Sequence, residues 1–207
     1  MKSQPSPTAG PQPPEAVGTG TTGNGIGAGQ TLDARLRRVE DMLAIQQLPI
    51  RYAMAVDDRD VDAWVNLFVP DVRVGDRVGR AALRDEITPM LRCFYRSIHQ
   101  IVGHRVDIVD DQRATGSVYC RAEHEVSERW IVMAIRYDDE YRKVGGDWYF
   151  ARRKEKHWYA ADLTERPQQV DFAGWAVAGQ PRLPQAQTWR TFWDGVDTAP
   201  ITGSPRH

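Results

Sequence analysis

The chain has 207 residues, of which 41% are apolar and 27% are charged, a balance typical of one globular domain with unstructured ends. Its formal net charge of −1 gives no reason to expect nucleic acid as a partner, because phosphate binding needs a basic excess on one face. No apolar run is long enough to span a bilayer, and Cys93 and Cys120 suggest no disulfide framework, so a cytoplasmic protein is expected.

Composition divides the chain into three parts. Residues 1–30 consist mainly of Gly, Pro, Ser, Thr and Gln without the apolar core of a signal peptide, which predicts a disordered leader. Residues 31–162 carry the periodic apolar patterns of a folded domain. Residues 163–207 form an extended tail, and its segment TWRTFW is expected to pack on the domain or on a partner subunit, since large rings are costly to leave in water.

The first predicted elements are helices. Thr31 can cap a helix whose core face, at a spacing of 3.6 residues, comprises Leu32, Leu36, Val39, Leu43 and Ile45 or Gln46. Pro49 lacks the backbone donor that a helix interior needs, so a break is predicted there. A second helical piece over 50–56 follows, with Tyr52 facing inward.

Beyond these helices the pattern turns to strands. Helices over 61–69 and 80–94 enclose a short strand over 72–78, and four longer strands follow over 98–109, 116–126, 130–141 and 148–159. Helices followed by antiparallel strands are typical of an α+β fold, in which the helices cover the apolar face of the sheet. On the last strand, His157 is expected on the face opposite Phe150, in a structural or partly exposed role.

The strand over 116–126 carries a candidate site residue. Its inward face is predicted to hold Val118, Cys120, Ala122, His124 and Val126. His124 is the one polar residue among them, and the small Cys120 and Ala122 leave room for a cavity on a curved sheet. A histidine that faces a cavity can act in catalysis, and a satisfied core histidine is an equal alternative.

The preceding strand, SIHQIVGHRVDI, contains two histidines five positions apart. Side chains on an unbroken strand alternate between its faces, so His99 and His104 can share a ligand only if the strand is irregular between them. Gly103 lies between them, and a glycine inside a strand often marks a bulge that resets the alternation. The role of His104 therefore depends on how the strand bends.

Asp57 closes the second helical piece, five residues after Tyr52. One interpretation is an exposed carboxylate that merely ends the helix. The other is a carboxylate that orients an imidazole and favours its charged form, which makes the imidazole a stronger general base.

The stretch from Leu32 to Val74, LDARLRRVEDMLAIQQLPIRYAMAVDDRDVDAWVNLFVPDVRV, is followed in order by SIHQIVGHRVDI, GSVYCRAEH, WYFARRKEKHWY and TWRTFW. Together these segments, which cover residues 31–195, resemble the SnoaL-like branch of the nuclear transport factor two-like superfamily. The resemblance implies a cone-shaped, curved antiparallel sheet packed on N-terminal helices around an apolar pocket. It implies less about substrate, because this fold hosts many reactions.

The resemblance also implies roles for four residues. In the family's dehydratases an Asp at a helix end pairs with a strand His that abstracts a proton, and the matching positions here are Asp57 and His99. Tyr52 matches a tyrosine that contacts substrate in a bile-acid dehydratase and would hydrogen-bond the developing enolate. His124 matches a second histidine, on the following strand, that would protonate a leaving hydroxyl.

The expected activity is cofactor-independent acid–base chemistry on a hydroxylated polycyclic, polyketide or steroid-like ketone. Dehydration is favoured, and cyclisation or isomerisation are alternatives. Val56 and Asp76 stand where scytalone dehydratase has tyrosines, so scytalone itself is not the expected substrate. No metal or other cofactor is expected, and the expected partners are a small apolar substrate and further copies of the chain in a dimer or trimer.

Three alternatives stay open. Zinc or iron could be held by three imidazoles and a carboxylate, those of His99, His104, His124 and Asp57. A non-catalytic binding module, or the small subunit of a ring-hydroxylating oxygenase, needs no Asp and His that face one pocket. An epoxide hydrolase of the same fold would need an Asp, Arg, Asp arrangement, for which Arg152 or Arg153 could combine with Asp57 and Asp76.

Overall fold

The computed structural model describes residues 31–163, 183–184 and 186–202, and the predicted leader, residues 1–30, lies outside them. The elements in chain order are α1 (Leu32–Asp57), α2 (Val61–Val65), β1 (Arg73–Val74), β2 (Arg77–Val78), α3 (Arg80–Leu91), β3 (Ser97–Ile108), β4 (Arg113–Val126), β5 (Arg129–Val144), β6 (Asp147–Asp162), α4 (Gln187–Trp193) and α5 (Ala199–Thr202). The predicted α+β fold, an N-terminal helix packed on a curved antiparallel sheet, is confirmed. In the described part of the chain, no helix combines the length and the apolar character needed to cross a bilayer.

α1 is one continuous helix of 26 residues that passes through Pro49. The predicted break is therefore wrong, because burial of Ile45, Leu48 and Tyr52 on both sides of Pro49 offsets the hydrogen bond that proline cannot donate. Of the predicted core face, Ile45 is buried as expected, but the prediction is wrong for Leu32, Leu36, Val39 and Leu43, each of which is 55 to 75% exposed. α1 meets the core from Asp41 and Met42 onward, and its fully buried residues begin at Ile45.

The segment between α2 and α3 pairs with the sheet, which makes α2 shorter than predicted, and α3 ends at Leu91, three residues before its predicted end. The backbone N–H of Phe150 donates to the carbonyl of Leu67, and the N–H of Val69 donates to the carbonyl of Phe150. The strand predicted over 72–78 is a two-stranded hairpin, β1 and β2. The long strands β3 to β6 form an antiparallel meander in chain order.

Three irregularities interrupt the ladder of the main sheet. The register of β3 against β4 shifts at Val102, and the register of β6 against β5 shifts at Ala151 and at Trp158. A bulged residue bends its strand and resets which of the following side chains face α1. The alternation read from the sequence therefore fails on β3 and β6, although it holds on β4.

The bulge in β3 decides how the two histidines are oriented. His99 lies opposite Ala122 and His104 lies opposite Val118, and both of these partners are fully buried. Directly opposed residues of antiparallel strands share a face of the sheet. Both histidines are therefore on the inner face, and the bulge falls at Val102, one residue before the glycine predicted to cause it.

In the described part of the tail, α4 packs beside the end of α1, and α5 packs at the end of β4. The rings of Trp189 and Trp193 lie 5.3 and 5.5 Å from the ring of Tyr95, measured between centroids. The hydroxyl of Thr188 donates to the carbonyl of Asp58 at 3.0 Å. α4 thus covers the turn that follows Asp57.

Candidate active site

Asp57, the last residue of α1, and His99, on β3, form a hydrogen-bonded pair. The distance from Asp57 Oδ1 to His99 Nδ1 is 2.7 Å, and the backbone N–H of His99 donates to Asp57 Oδ2 at 2.8 Å. The two side chains are 20% and 7% exposed. Because an ionised carboxylate can only accept hydrogen bonds, Nδ1 carries the proton and Nε2 is the basic nitrogen.

Asp57 accepts a third hydrogen bond, from the hydroxyl of Ser97 at 2.8 Å. Burial tends to raise the pKa of the Asp57 carboxyl, but the hydrogen bonds and charge of His99, together with the bond from Ser97, outweigh burial and lower it. Asp57 is therefore ionised at neutral pH and holds the imidazole of His99 by Nδ1.

Arg59 fixes the turn that carries Asp57. Its backbone has a φ of +56°, and only 2% of the residue is exposed. The guanidinium donates to the carbonyl of Val56 at 2.5 Å, to the hydroxyl of Ser97 at 2.9 Å, and to the carbonyls of residues 94 and 95. Burial lowers the pKa of Arg59 to about 10, so the side chain stays cationic at neutral pH. Arg59 was not predicted from the sequence, because a buried arginine inside a run of charged turn residues leaves no pattern.

His124, on β4, lies against His99. Their ring centroids are 5.3 Å apart and nearly perpendicular, and the Phe94 ring packs 4.5 Å from His124. Nδ1 of His124 is buried and has no hydrogen-bond partner among the described residues. Burial, and then positive charge on His99 and Arg59, lower the pKa of His124 to about 3. His124 is therefore neutral at neutral pH, and its role as the acid for a leaving hydroxyl stays a prediction.

Tyr52 lies deeper in the core than the Asp57–His99 pair. Its ring packs 5.5 to 6.0 Å, between centroids, from the rings of Trp64, Tyr137 and Phe150. Burial raises the pKa of Tyr52 to about 12, so its hydroxyl keeps its proton at neutral pH. The described contacts of Tyr52 do not reach the Asp57–His99 pair or His124, so its contact with substrate stays a prediction.

A second buried polar cluster lies beside Tyr52. Nε and Nη2 of Arg153 donate to the two carboxylate oxygens of Asp139 at 2.9 and 2.7 Å, and the side chains are 5% and 0% exposed. The guanidinium also lies 4.2 to 4.3 Å from the ring centroids of Tyr52, Tyr137 and Phe150. Burial opposes the charge of Arg153, but Asp139 outweighs burial and raises the pKa of Arg153. Arg153 thus pairs with Asp139, and not with Asp57 and Asp76 as the epoxide hydrolase alternative requires. The sequence did not predict this pairing.

His104 belongs to this second cluster. Its Nε2 lies 3.0 Å from the hydroxyl of Tyr141, which donates to Asp139 at 2.8 Å. Burial lowers the pKa of His104. His99 and His124 face Asp57 while His104 faces Tyr141, and within the described ranges no three His, Cys, Asp or Glu side chains are placed to bind one metal ion.

Solved structures share this arrangement of helices and sheet. A hexachlorocyclohexane dehydrochlorinase, LinA type 2, has a TM-score of 0.59 and 21% identity over 66% of this chain and 99% of its own. A scytalone dehydratase-like protein from Novosphingobium aromaticivorans has a TM-score of 0.54 and 22% identity over 64% of this chain and 93% of its own. A protein of the same organism, described as NTF2-like with a cystatin-like fold, has a TM-score of 0.53 and 26% identity over 62% of this chain and 90% of its own.

These similarities define the fold class, and the family follows from a direct match. The model of the SnoaL-like domain matches residues 37–154, more than half of the chain. The protein therefore belongs to the SnoaL-like domain family, as the sequence resemblance implied. No curated protein sequence matches the chain significantly.

Proposed function

We propose that the protein is a cofactor-independent lyase or isomerase that removes a proton next to the carbonyl of an apolar, hydroxylated polycyclic, polyketide or steroid-like ketone. The observation that carries this proposal is the 2.7 Å bond between Asp57 and the buried His99. A carboxylate that holds Nδ1 keeps Nε2 basic and stabilises the imidazolium that forms when Nε2 takes a proton.

Dehydration is the favoured outcome. His99 Nε2 takes the proton from carbon, the electron pair forms the new double bond, and the bond from the next carbon to its hydroxyl oxygen breaks. Because His124 is neutral, the imidazolium of His99 is the acid that returns the proton to the departing oxygen, so that water leaves and His99 is restored. Tyr52, which keeps its proton at neutral pH, is proposed to donate to the developing enolate oxygen.

The structural neighbours support a lyase. The dehydrochlorinase removes hydrogen chloride and a dehydratase removes water, and both reactions are eliminations. Return of the proton to another carbon would give isomerisation, and attack of the enolate on an internal carbonyl would give cyclisation. We also propose that the protein forms a homo-oligomer and is cytoplasmic.

The non-catalytic alternative is less well supported. A binding module, or the small subunit of a ring-hydroxylating oxygenase, needs no aligned carboxylate and imidazole. Here Asp57 and His99 are held by six further hydrogen bonds among Ser97, Arg59 and the backbone. Such a network is expected where an imidazole must keep one tautomer and orientation.

Exchange of protons next to a carbonyl tests the proposal without knowledge of the natural substrate. Hydroxylated polycyclic ketones are incubated in D₂O with the protein, and deuterium uptake and loss of water are followed by NMR and mass spectrometry. Wild type should catalyse uptake on at least one ketone, and Asp57→Asn and His99→Gln should lower the rate by about 10² to 10⁴. Asp62→Asn, at a carboxylate that is 78% exposed, is the matched control and should keep the wild-type rate.

A further inference from the structure

β6 carries a second carboxylate–imidazole pair, Glu155 and His157, that the proposed reaction does not use. Nε2 of His157 lies 2.6 Å from Oε1 of Glu155, and the side chains are 53% and 40% exposed. From the sequence, His157 is predicted on the face opposite Phe150. That prediction is wrong, because the bulge at Ala151 shifts the alternation by one residue.

The register of β6 against β5 places this pair on the inner face of the sheet. Glu155 lies opposite Tyr137 and His157 lies opposite Ile135, and both partners are core residues that are 2% exposed. Burial raises the pKa of Tyr52, and the negative charge of Glu155 adds to that rise. The carboxylate of Glu155 is therefore close enough to the core to influence the buried Tyr52. The pair therefore faces the same space as the Asp57–His99 pair, from the opposite edge of the sheet.

An apolar strip separates the two pairs. Ile101 and Met133, both partly exposed, pack on the buried small residues Cys120 and Ala122 between β3 and β6. The edge strands are three strand spacings apart, about 14 Å along the sheet, and curvature shortens the direct distance. The inner face thus presents a polar pair at each edge with apolar side chains between them.

We infer that Glu155 and His157 form a subsite for a hydroxyl group at one end of an elongated, fused-ring ligand whose carbonyl end lies at the Asp57–His99 pair. The carboxylate of Glu155 accepts a hydrogen bond from the hydroxyl, and Nδ1 of His157, the ring nitrogen that does not contact Glu155, is available to the hydroxyl oxygen or its proton. The inference rests on the proposed function for the orientation of the ligand, and it narrows the substrate class to flat ketones with a distal hydroxyl.

Two commercial probes test this subsite. 6-Hydroxy-2-acetonaphthone carries a ketone and a hydroxyl at opposite ends of a rigid two-ring system, and 2-acetonaphthone lacks the hydroxyl. Dissociation constants are measured from ligand fluorescence with the full-length chain. Wild type should bind the hydroxylated probe about tenfold more tightly, as expected for one hydrogen bond to a charged group.

Three variants test whether the preference for the hydroxylated probe depends on Glu155 and His157. Glu155→Gln and His157→Gln should lose most of the preference for the hydroxylated probe and keep the wild-type affinity for 2-acetonaphthone. Lys156→Gln is the matched control, because Lys156 lies between them in sequence but pairs with Asp138 on the outer face, and it should keep the preference.

Three results would overturn the subsite. They are equal affinity of wild type for both probes, no binding of either probe at millimolar concentration, and a preference that survives in the Glu155→Gln/His157→Gln double variant. Deuterium uptake at the acetyl group, measured on the same probes, reports the proposed reaction separately. A preference without uptake supports the subsite and counts against the reaction on these two ketones, and uptake without a preference refutes only the subsite.

Discussion

Replacing Asp57 by asparagine changes one atom at the centre of the candidate site. Oδ1 of Asp57 accepts from the hydroxyl of Ser97 and from Nδ1 of His99, and Oδ2 accepts from the backbone N–H of His99. An asparagine side chain has the same shape but keeps only one oxygen, so it has two possible orientations.

The cost of each orientation follows from these partners. With the amide oxygen in the place of Oδ1, the NH₂ group faces the backbone N–H of His99, and one buried donor is left unpaired at about 1 to 3 kcal/mol. With the orientation reversed, the hydroxyl of Ser97 can rotate to accept, and His99 can move its proton from Nδ1 to Nε2. The second orientation takes the acceptor only from the hydroxyl of Ser97, whereas the first sets two buried donors against each other, so the second is expected.

The tautomer of His99 then decides the activity. With its proton on Nε2, His99 no longer presents a base to substrate, and the rate should fall by about 10² to 10⁴. The free energy of unfolding should fall by only about 1 to 2 kcal/mol, because the hydrogen bonds to His99 are retained but are no longer charge-assisted, and only the donation from Ser97 is lost.

Nitrogen-15 NMR of the histidine rings reports the tautomer directly, with deuterium uptake and urea unfolding on the same samples. Wild type should show His99 protonated at Nδ1, and Asp57→Asn should show it protonated at Nε2. Wild-type His99 with its proton only on Nε2 at neutral pH would refute this role of Asp57, and so would an Asp57→Asn variant with unchanged tautomer and rate.

Three further predictions concern the buried groups around the site. The pKa of His124 falls from 6.5 to about 3 on folding, so the unfolded chain binds the extra proton and the free energy of unfolding decreases as pH falls below 6.5. In urea unfolding, the decrease in the free energy of unfolding between pH 7 and pH 5 should be smaller in His124→Phe than in wild type by about 2 kcal/mol. Asp139→Leu should cost about 3 to 5 kcal/mol by leaving Arg153 buried without its partner, and the double variant with Arg153→Met should regain part of that loss. In α4, Trp193→Ala should cost about 3 kcal/mol in the same assay, whereas the exposed Thr191→Ala should stay within about 0.5 kcal/mol.

The fold was predictable because its signals are local. Apolar alternation identifies the long strands, and on β4 it correctly places Val118, Cys120, Ala122 and His124 inside. The same logic failed where long-range packing overrides local propensity. Pro49 is tolerated because its neighbours are buried, and the first half of α1 is exposed although its apolar spacing is helical.

The site was predictable only in part. The resemblance supplied the positions of Asp57 and His99, which the structure brings within hydrogen-bond distance. Arg59 and the Arg153–Asp139 pair were missed, because burial of a charged residue depends on partners far away in sequence. His157 was predicted on the wrong face because a single bulge reverses the face of the residues that follow it on a strand. No residue near Ala151 is of a type that predicts a bulge there.

The central claim is that His99, oriented by Asp57, removes a proton next to a carbonyl. The most direct test compares deuterium uptake by ketones shown to bind both wild type and His99→Gln, at equal occupancy. Wild type is predicted to exceed His99→Gln by at least about 10² on one or more of these ketones. Equal uptake by the two proteins on every bound ketone would contradict the claim.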